Sequence, residues 1–125
     1  MKFMLFRMDP ERAHYFTMGV FRVLLWIPGM GWIFSKLYSP EKPGHPRIIA
    51  GLSFSNPIGL AAGFDKNARF LKAMKVLGFS HVEVGTITPR PQPGNPKPRL
   101  FRLIQSEALI NRMGFNNDGV EVIAS

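Results

Sequence analysis

The chain has 125 residues, 46% of them hydrophobic, with 12 glycines, 11 prolines and a net charge of +8. This length suffices for one small domain with a hydrophobic core, and the glycine and proline content predicts many turns. The absence of cysteine excludes disulfide bonds, thiolate catalysis and cysteine-bound metals within these residues. The positive charge favours an anionic partner, but the lysines and arginines are dispersed and lack a zinc-finger or RNA-binding pattern, so we expect no nucleic-acid binding.

The first 39 residues are predicted to form two short helices. Asp9-Pro10-Glu11 is a strong helix start, because it combines an N-cap acceptor, a proline suited to the first helical position and an acid near the positive helix end. Apolar residues continue at helical spacing from there to Pro28-Gly29, and a second helix is expected over about residues 30–38.

This helical section contains more aromatic and methionine side chains than a helical pair can bury against itself. Part of the surface should therefore face a partner, the following domain or lipid. A helical lid and a membrane-surface helix pair are equally consistent with the pattern, and the scattered arginines and Lys36 suit anionic headgroups. The longest apolar run, residues 23–34, is broken by proline and glycine. Since a bilayer span needs roughly 20 apolar residues, we expect no transmembrane helix.

Residues 40–46 are rich in proline and are predicted to be a linker. The remainder, residues 47–125, alternates strands with helices, which predicts an α/β fold with a parallel β-α-β unit. In chain order we expect a hairpin (47–50 with 52–55), a strand (57–61), a helix (67–77), a strand (81–87), a proline-rich loop (88–98), a second hairpin (100–103 with 108–110) and a helix start capped at Asp118 (118–121).

Three segments follow strand ends, where α/β proteins place their ligands. Residues 61–67 combine small residues with Lys66 and could hold a flavin, with backbone N–H groups on the ring edge and a cation where negative charge grows. Gly85-Thr86 could offer a hydroxyl to the same ligand, and residues 111–118 offer amide side chains that match imide or carboxamide edges. Each segment taken singly has a commoner explanation without a ligand. Residues 61–67 would be a tight turn with a surface lysine, Thr86 an ordinary threonine at a strand end, and residues 111–118 an asparagine-rich turn.

No metal site is predicted, because the three histidines lack a spacing that would place two on one face. The sequence also lacks a nucleophile elbow, a P-loop and a dinucleotide-binding fingerprint. The three strand-end segments are therefore the candidate ligand sites.

Taken together, these segments resemble the membrane-associated, class 2 dihydroorotate dehydrogenases. The stretches NPIGLAAGFDKN (56–67), EVGTITPRPQPGNPKPRLFRL (83–103) and ALINRMGFNNDGV (108–120) match that family's pattern in order and spacing. DPERAH (9–14) resembles the start of the family's amino-terminal helices. One departure, Ala68-Arg69 where the family commonly has Gly-Glu, follows the expected ligand contacts.

The resemblance implies a TIM barrel that binds FMN at the carboxyl end of its strands, preceded by a small two-helix membrane-associated domain. It assigns residues 1–39 to a helical membrane and quinone-tunnel domain, 40–46 to a linker and 47–125 to the first part of the barrel. It implies oxidation of dihydroorotate to orotate in pyrimidine biosynthesis, with FMN as hydride acceptor and a membrane quinone as final oxidant. The enzyme would be peripheral on the cytoplasmic side of the cell inner membrane, in contact with anionic lipid.

Site residues follow from the same resemblance, position by position. Contacts to FMN are expected from Ala62, Gly63, Phe64, Asp65, Lys66 and Thr86. Contacts to the substrate are expected from Lys66, Asn111, Arg112, Met113, Gly114 and Phe115. The quinone tunnel is expected to include His14 and Arg102. No catalytic residue is expected in this chain, because the family's serine base has no counterpart in it.

A TIM barrel needs about 250 residues. The chain is therefore expected to be too short to close a barrel and to be inactive by itself. The alternative function is a non-catalytic, basic and aromatic membrane-binding module. The sequence does not indicate which quinone is used or the oligomeric state.

Overall fold

A computed structural model describes residues 2–38 and 46–125, with side chains from residue 5 onward. The helices are α1 (Lys2–Arg7), α2 (Pro10–Leu24), α3 (Met30–Tyr38), α4 (Leu71–Val76) and α5 (Val120–Ile123). The strands are β1 (Arg47–Ile49), β2 (Leu52–Phe54), β3 (Gly59–Leu60), β4 (His81–Val82), β5 (Leu100–Leu103) and β6 (Ala108–Asn111). Within these residues the strands form three separate two-stranded sheets, and the mixture of helices and strands agrees with the predicted α/β class.

The chain divides into two compact units. The first unit comprises Met1–Val20 together with Ile87–Ser125, and the second comprises Phe21–Thr86. The domain boundaries expected from the sequence stay a prediction. Of the expected linker, residues 40–46, only Pro46 lies within the described residues.

The amino-terminal section contains three helices, so the expectation of two was wrong. The predicted start of α2 is confirmed, because Asp9 Oδ1 accepts a hydrogen bond from the backbone N–H of Arg12 at 3.0 Å. The helix ends at Leu24, shortly before the glycine and proline that were expected to end it.

The helix that the sequence did not predict is α1, and its carboxyl end is bound by a distant side chain. The Arg102 guanidinium donates to the carbonyl oxygens of Met8 at 2.6 Å and of Leu5 and Phe6 at 3.2 Å each. A cation is favourable at this end of a helix because the last carbonyls lack backbone partners. Since Arg102 lies far along the chain, no local pattern could have predicted this helix.

The core of the second unit lies at α4, where Ala73 is 3% and Met74 1% exposed. The strands β3 and β4 pair in parallel, with Gly59 opposite His81 and Leu60 opposite Val82. The predicted parallel β-α-β unit is therefore confirmed, although both strands are shorter than expected. A Cβ at Gly59 would overlap the His81 ring, so a larger residue there would require that ring to shift.

The start of α4 was predicted too early, at residue 67 instead of Leu71. The Asp65 carboxylate accepts hydrogen bonds from the backbone N–H groups of Arg69 at 2.9 Å and Phe70 at 2.7 Å. Ala68 adopts a positive φ of 54°, which no helix contains. Residues 65–70 therefore form a turn, and the helix begins after it. The predicted end at Gly78 is confirmed by its φ of 87°, a conformation that glycine adopts without steric cost.

Both predicted hairpins are confirmed. In the second unit β1 pairs with β2 antiparallel, and in the first unit β5 pairs with β6 antiparallel, with Leu100 opposite Asn111. The expected cap of the last helix at Asp118 was wrong. The N-cap residue of α5 is Gly119, with a φ of 81° and no side-chain cap.

Candidate functional site

The turn after β3 and the residues after β4 lie at one edge of a sheet, because the carboxyl ends of parallel strands share an edge. The Glu83 N–H donates to the Leu60 carbonyl at 2.8 Å, which extends the pairing to this edge. The structure thus brings residues 61–66 and Thr86 to the same end of the second unit.

The turn itself is open. Ala62, Gly63 and Phe64 are exposed, and a Cβ added at Gly63 would meet nothing within 4 Å. Gly63 has a φ of 102°, which strongly favours glycine. In the part of the chain that the structure describes, the backbone N–H groups of Ala62 and Gly63 have no protein acceptor. Two donors and an unfilled space are therefore presented at this edge.

The residues flanking this opening differ in exposure. Asp65 is 2% exposed, and its carboxylate is used by the two N–H groups of the following turn. Lys66 is half-buried. Gly85 is buried with a φ of 117°, and Thr86 after it is exposed. Asp65 therefore shapes the turn that follows the opening.

The residues of the predicted substrate segment, 111–115, begin at the last residue of β6 and form a bend in the first unit. Asn111 Oδ1 accepts a hydrogen bond from the Met113 N–H at 3.0 Å, which closes the bend. Met113 is 9% exposed, whereas Phe115 is 61% exposed. Gly114 has a φ of 70°. The bend thus anchors Met113 and presents Phe115 and the remaining Asn111 amide at the surface.

The sequence did not predict that the Asn117 side chain joins the start of the proline-rich loop to the residues after the bend. Asn117 is 4% exposed, and its Oδ1 accepts hydrogen bonds from the Thr88 N–H at 3.1 Å and the Thr88 hydroxyl at 3.0 Å. The same oxygen accepts from the Gly119 N–H at 3.0 Å, and Nδ2 donates to the Phe115 carbonyl at 3.1 Å. An asparagine inside an asparagine-rich turn was the available signal, because its short amide can both donate and accept.

Sequence reasoning also missed a buried ion pair between Glu11 and Arg99, whose side chains are each 6% exposed. Arg99 donates from Nε to Glu11 Oε2 at 3.0 Å and from Nη2 to Oε1 at 2.7 Å, a bidentate geometry. These hydrogen bonds lower the pKa of the Glu11 carboxyl below its usual 4.5, and the carboxylate raises the pKa of Arg99. No local signal joins two residues so far apart in the chain.

The two predicted quinone-tunnel residues lie in the first unit. Arg102 has its guanidinium 5.1 Å from the centre of the Phe6 ring, in addition to its bonds to the end of α1. A groove of about 530 Å³ is lined by residues that include Phe6, Arg102, Ile104 and Leu109. The His14 ring packs edge-on against Tyr15, with ring centres 5.1 Å apart.

The second unit exposes large apolar side chains in α3 and in the turn before it. Trp26 is 76%, Trp32 67% and Leu37 69% exposed, and Lys36 lies 5.9 Å from the Trp32 ring. Among the described residues, no helix has both the length and the hydrophobicity that a bilayer span requires. Nor do residues 2–38 and 46–125 contain a cluster of His, Asp or Glu side chains able to hold a metal ion.

The family model described as dihydroorotate dehydrogenase matches residues 47–125. A dihydroorotate dehydrogenase (quinone) from Roseiflexus castenholzii is 53% identical over 121 residues, which cover 97% of this chain and 33% of that protein. The protein of the same name from Cronobacter sakazakii is 54% identical over 117 residues, covering 94% of this chain and 33% of its own length.

A solved structure is also similar. The ligand-free dihydroorotate dehydrogenase from Eimeria tenella is 47% identical, with a TM-score of 0.67, over 92% of this chain and 30% of that one. The chain spans about a third of the length of the curated relatives that it matches. The match to the family model, together with identities near one half, establishes that the chain belongs to the dihydroorotate dehydrogenase family.

Proposed function

We propose that these residues are the amino-terminal part of a quinone-dependent enzyme that oxidises dihydroorotate to orotate in pyrimidine biosynthesis. The names of the relatives support the substrate and the quinone. Because the chain spans about a third of those relatives, the proposal concerns the whole enzyme. The 125 residues by themselves are expected not to turn over substrate, since the family's serine base has no counterpart among them.

The β3–α4–β4 segment is proposed to be the start of a (β/α) barrel. Parallel pairing of β3 with β4 across one helix is the repeating unit of that fold. Such barrels place their ligands at the carboxyl ends of the strands, which is the edge where residues 61–66 and Thr86 lie.

FMN is the proposed cofactor, and the turn after β3 fits it. The unpaired N–H groups of Ala62 and Gly63 can donate to polar atoms of a flat ring, and the open space beside Gly63 lets a ring approach the backbone. Lys66 would place a cation near the ring, Thr86 would add a hydroxyl, and Phe64 and Asp65 would border and shape the site. FMN, when bound, supplies the hydride acceptor.

The substrate is proposed to bind at the bend of residues 111–115. Asn111 keeps its Nδ2 group available while its Oδ1 holds the bend, so it can donate to a carbonyl of a pyrimidine ring. Arg112, Met113, Gly114 and Phe115 would line the pocket, with Phe115 as an apolar wall.

The membrane quinone is proposed to approach the first unit near His14 and Arg102. We further propose that the exposed tryptophans of the second unit lie at the surface of the cell inner membrane, on its cytoplasmic side, as a peripheral contact. The net charge of +8 would strengthen that contact with anionic lipid.

The observation that carries the proposal is the open turn of Ala62-Gly63, at one edge with Thr86. Its test is the complete enzyme that contains this chain, assayed for flavin absorbance and for dihydroorotate-dependent quinone reduction. Lys66→Ala is expected to lower kcat/KM on the order of 100-fold. Lys72→Ala, at an exposed position of α4, is the matched control and should leave activity unchanged. A colourless protein without activity would contradict the proposal.

A second candidate, a non-catalytic membrane-binding module, is favoured by the exposed apolar surface of the second unit. The two proposals differ in the flavin. A complete protein that binds anionic vesicles but never binds FMN would favour the module, and vesicle binding together with a flavin spectrum would favour the enzyme.

A further inference from the structure

Arg99 joins helix α2 to the proline-rich loop in the first unit. Its Nε and Nη2 groups bind the Glu11 carboxylate near the start of α2. Its Nη1 group donates to the carbonyl oxygens of Pro93 at 2.6 Å and Asn95 at 3.1 Å. Glu11 is 5% and Arg99 6% exposed, so little water competes for these bonds.

The same loop holds the bend that is proposed to bind the substrate. Asn95 donates from its backbone N–H to the Met113 carbonyl at 2.9 Å and from Nδ2 to the Arg112 carbonyl at 2.7 Å. The Arg112 N–H in turn donates to the Arg99 carbonyl at 2.9 Å. A Cβ at Gly94 would overlap the Met113 carbonyl oxygen, so loop and bend are in close contact.

These contacts form one continuous path from α2 through the loop to the bend. A guanidinium is planar and rigid, and a bidentate carboxylate fixes the plane in which its remaining N–H groups point. Glu11 therefore sets the direction of Arg99 Nη1, and Nη1 sets the position of the Asn95 backbone. Asn95 then fixes Arg112 and Met113 through both its backbone and its side chain.

We propose that Arg99, oriented by Glu11, is a positioning residue that holds the bend of residues 111–115 in its substrate-binding geometry. This inference rests on the proposed function of the bend. It makes substrate affinity depend on a residue of α2 and on a loop residue that do not themselves belong to the proposed substrate contacts. Lys97 approaches the same carboxylate at 3.4 Å but is 69% exposed, so it has no comparable effect.

The test compares variants of the complete enzyme in steady-state kinetics, with rates expressed per bound FMN. Glu11→Gln removes the charge that orients Arg99. Arg99→Lys keeps the positive charge but cannot make the bidentate contact with Glu11. Both are expected to raise KM for dihydroorotate about 10-fold, because a small misplacement of a binding group weakens substrate binding. The kcat and the KM for quinone should change by less than about twofold, as for a loss of uniform substrate binding.

Two further variants make the result decisive. Asn95→Ala leaves the buried ion pair intact and removes the exposed side-chain hydrogen bond from Asn95 to the Arg112 carbonyl, which is one of the two bonds in the last step of the path. It should therefore raise KM for dihydroorotate in the same direction even if the other variants fold poorly. Lys97→Gln is the matched control and should leave KM unchanged.

A KM for dihydroorotate that stays at the parent value in Asn95→Ala and in the folded ion-pair variants would overturn the inference, because the pair would then only stabilise the fold. A parent enzyme with no dihydroorotate oxidation would instead overturn the proposed function. The two failures are therefore distinguishable.

Discussion

The two compact units of the chain are stabilised by different kinds of interaction. In the second unit the buried residues Phe70, Ala73 and Met74 form a small apolar core at α4, with Asp65 as a buried polar neighbour. In the first unit, several of the buried groups are charged or amide side chains, namely Glu11, Arg99, Asn116 and Asn117. The first unit also buries Ala13, Met18 and Met113, so it combines apolar packing with directional hydrogen bonds, whereas the buried residues of the second unit are mostly apolar.

This difference in buried residues agrees with the proposed roles of the two units, a substrate-binding bend in the first and a flavin-binding turn in the second. Hydrogen bonds to charged groups fix atoms in direction as well as in distance, so they can hold an irregular loop and bend in one geometry. A short β-α-β unit needs only apolar contact to bring two strand ends to one edge, and its ligand turn can then stay open. The comparison can be tested in the complete enzyme that contains this chain, through its unfolding free energy.

The largest expected effect is that of Arg99→Met. Removing the guanidinium leaves the buried Glu11 carboxylate without its partner, and the free energy of unfolding should fall by about 4 kcal/mol. Chemical denaturation followed by circular dichroism measures the loss. Lys97→Met is the control, because that lysine is 69% exposed and should contribute little. Equal losses of unfolding free energy in the two variants would contradict the view that the buried ion pair of Glu11 and Arg99 stabilises the first unit.

The next effect is expected for Met74→Ala in the second unit. Met74 is 1% exposed, so its truncation should leave a cavity and lower the free energy of unfolding by about 3 kcal/mol. Leu71→Ala, on the same helix but 43% exposed, should cost less than about 1 kcal/mol. The same denaturation measurement checks both. A larger loss in Leu71→Ala would mean that the core of this unit lies elsewhere.

A smaller effect compares one acid from each unit. Asp65→Ala leaves two N–H groups of a buried turn without an acceptor and should cost about 2 kcal/mol. Asp9→Ala loses one exposed cap bond, to Arg12, and should cost about 1 kcal/mol. Thermal or chemical unfolding measures which of the two variants loses more stability, and therefore which unit depends more on its carboxylate. If Asp9→Ala were the more costly, the Asp65 turn would not be what sets the start of α4.

The smallest effect concerns pH. The pKa of Glu11 is lowered by its hydrogen bonds to Arg99, so the folded state binds this proton less readily than the unfolded state. Its stabilisation is therefore fully present above the usual pKa of 4.5 and is lost as pH falls through the lower folded pKa. The difference in unfolding free energy between the parent and Glu11→Gln should shrink as pH falls from about 7 to 3. A difference that does not change over this range would show that Glu11 does not titrate as part of the pair.

The elements with strong local signals were predicted from the sequence. Asp9 and Pro10 mark the start of α2, Gly78 marks the end of α4, and Gly51 lies between the two strands of the first hairpin. The family could also be identified from three motifs, and the comparisons confirm that resemblance. The start of α4 was predicted wrongly because an apolar spacing cannot show that Asp65 holds the preceding residues in a turn.

By itself, then, the sequence determined the α/β class, the order of most elements, the family and the candidate ligand segments. Helical and strand spacing, caps and glycines act over a few residues, so they are readable along the chain. Only the tertiary structure decided that Arg102 binds the end of α1 and that Glu11 and Arg99 form a buried pair. Such contacts form only where the fold brings distant residues together. The contribution of an ion pair to stability also depends on how deeply the pair is buried, and no local sequence pattern contains this information.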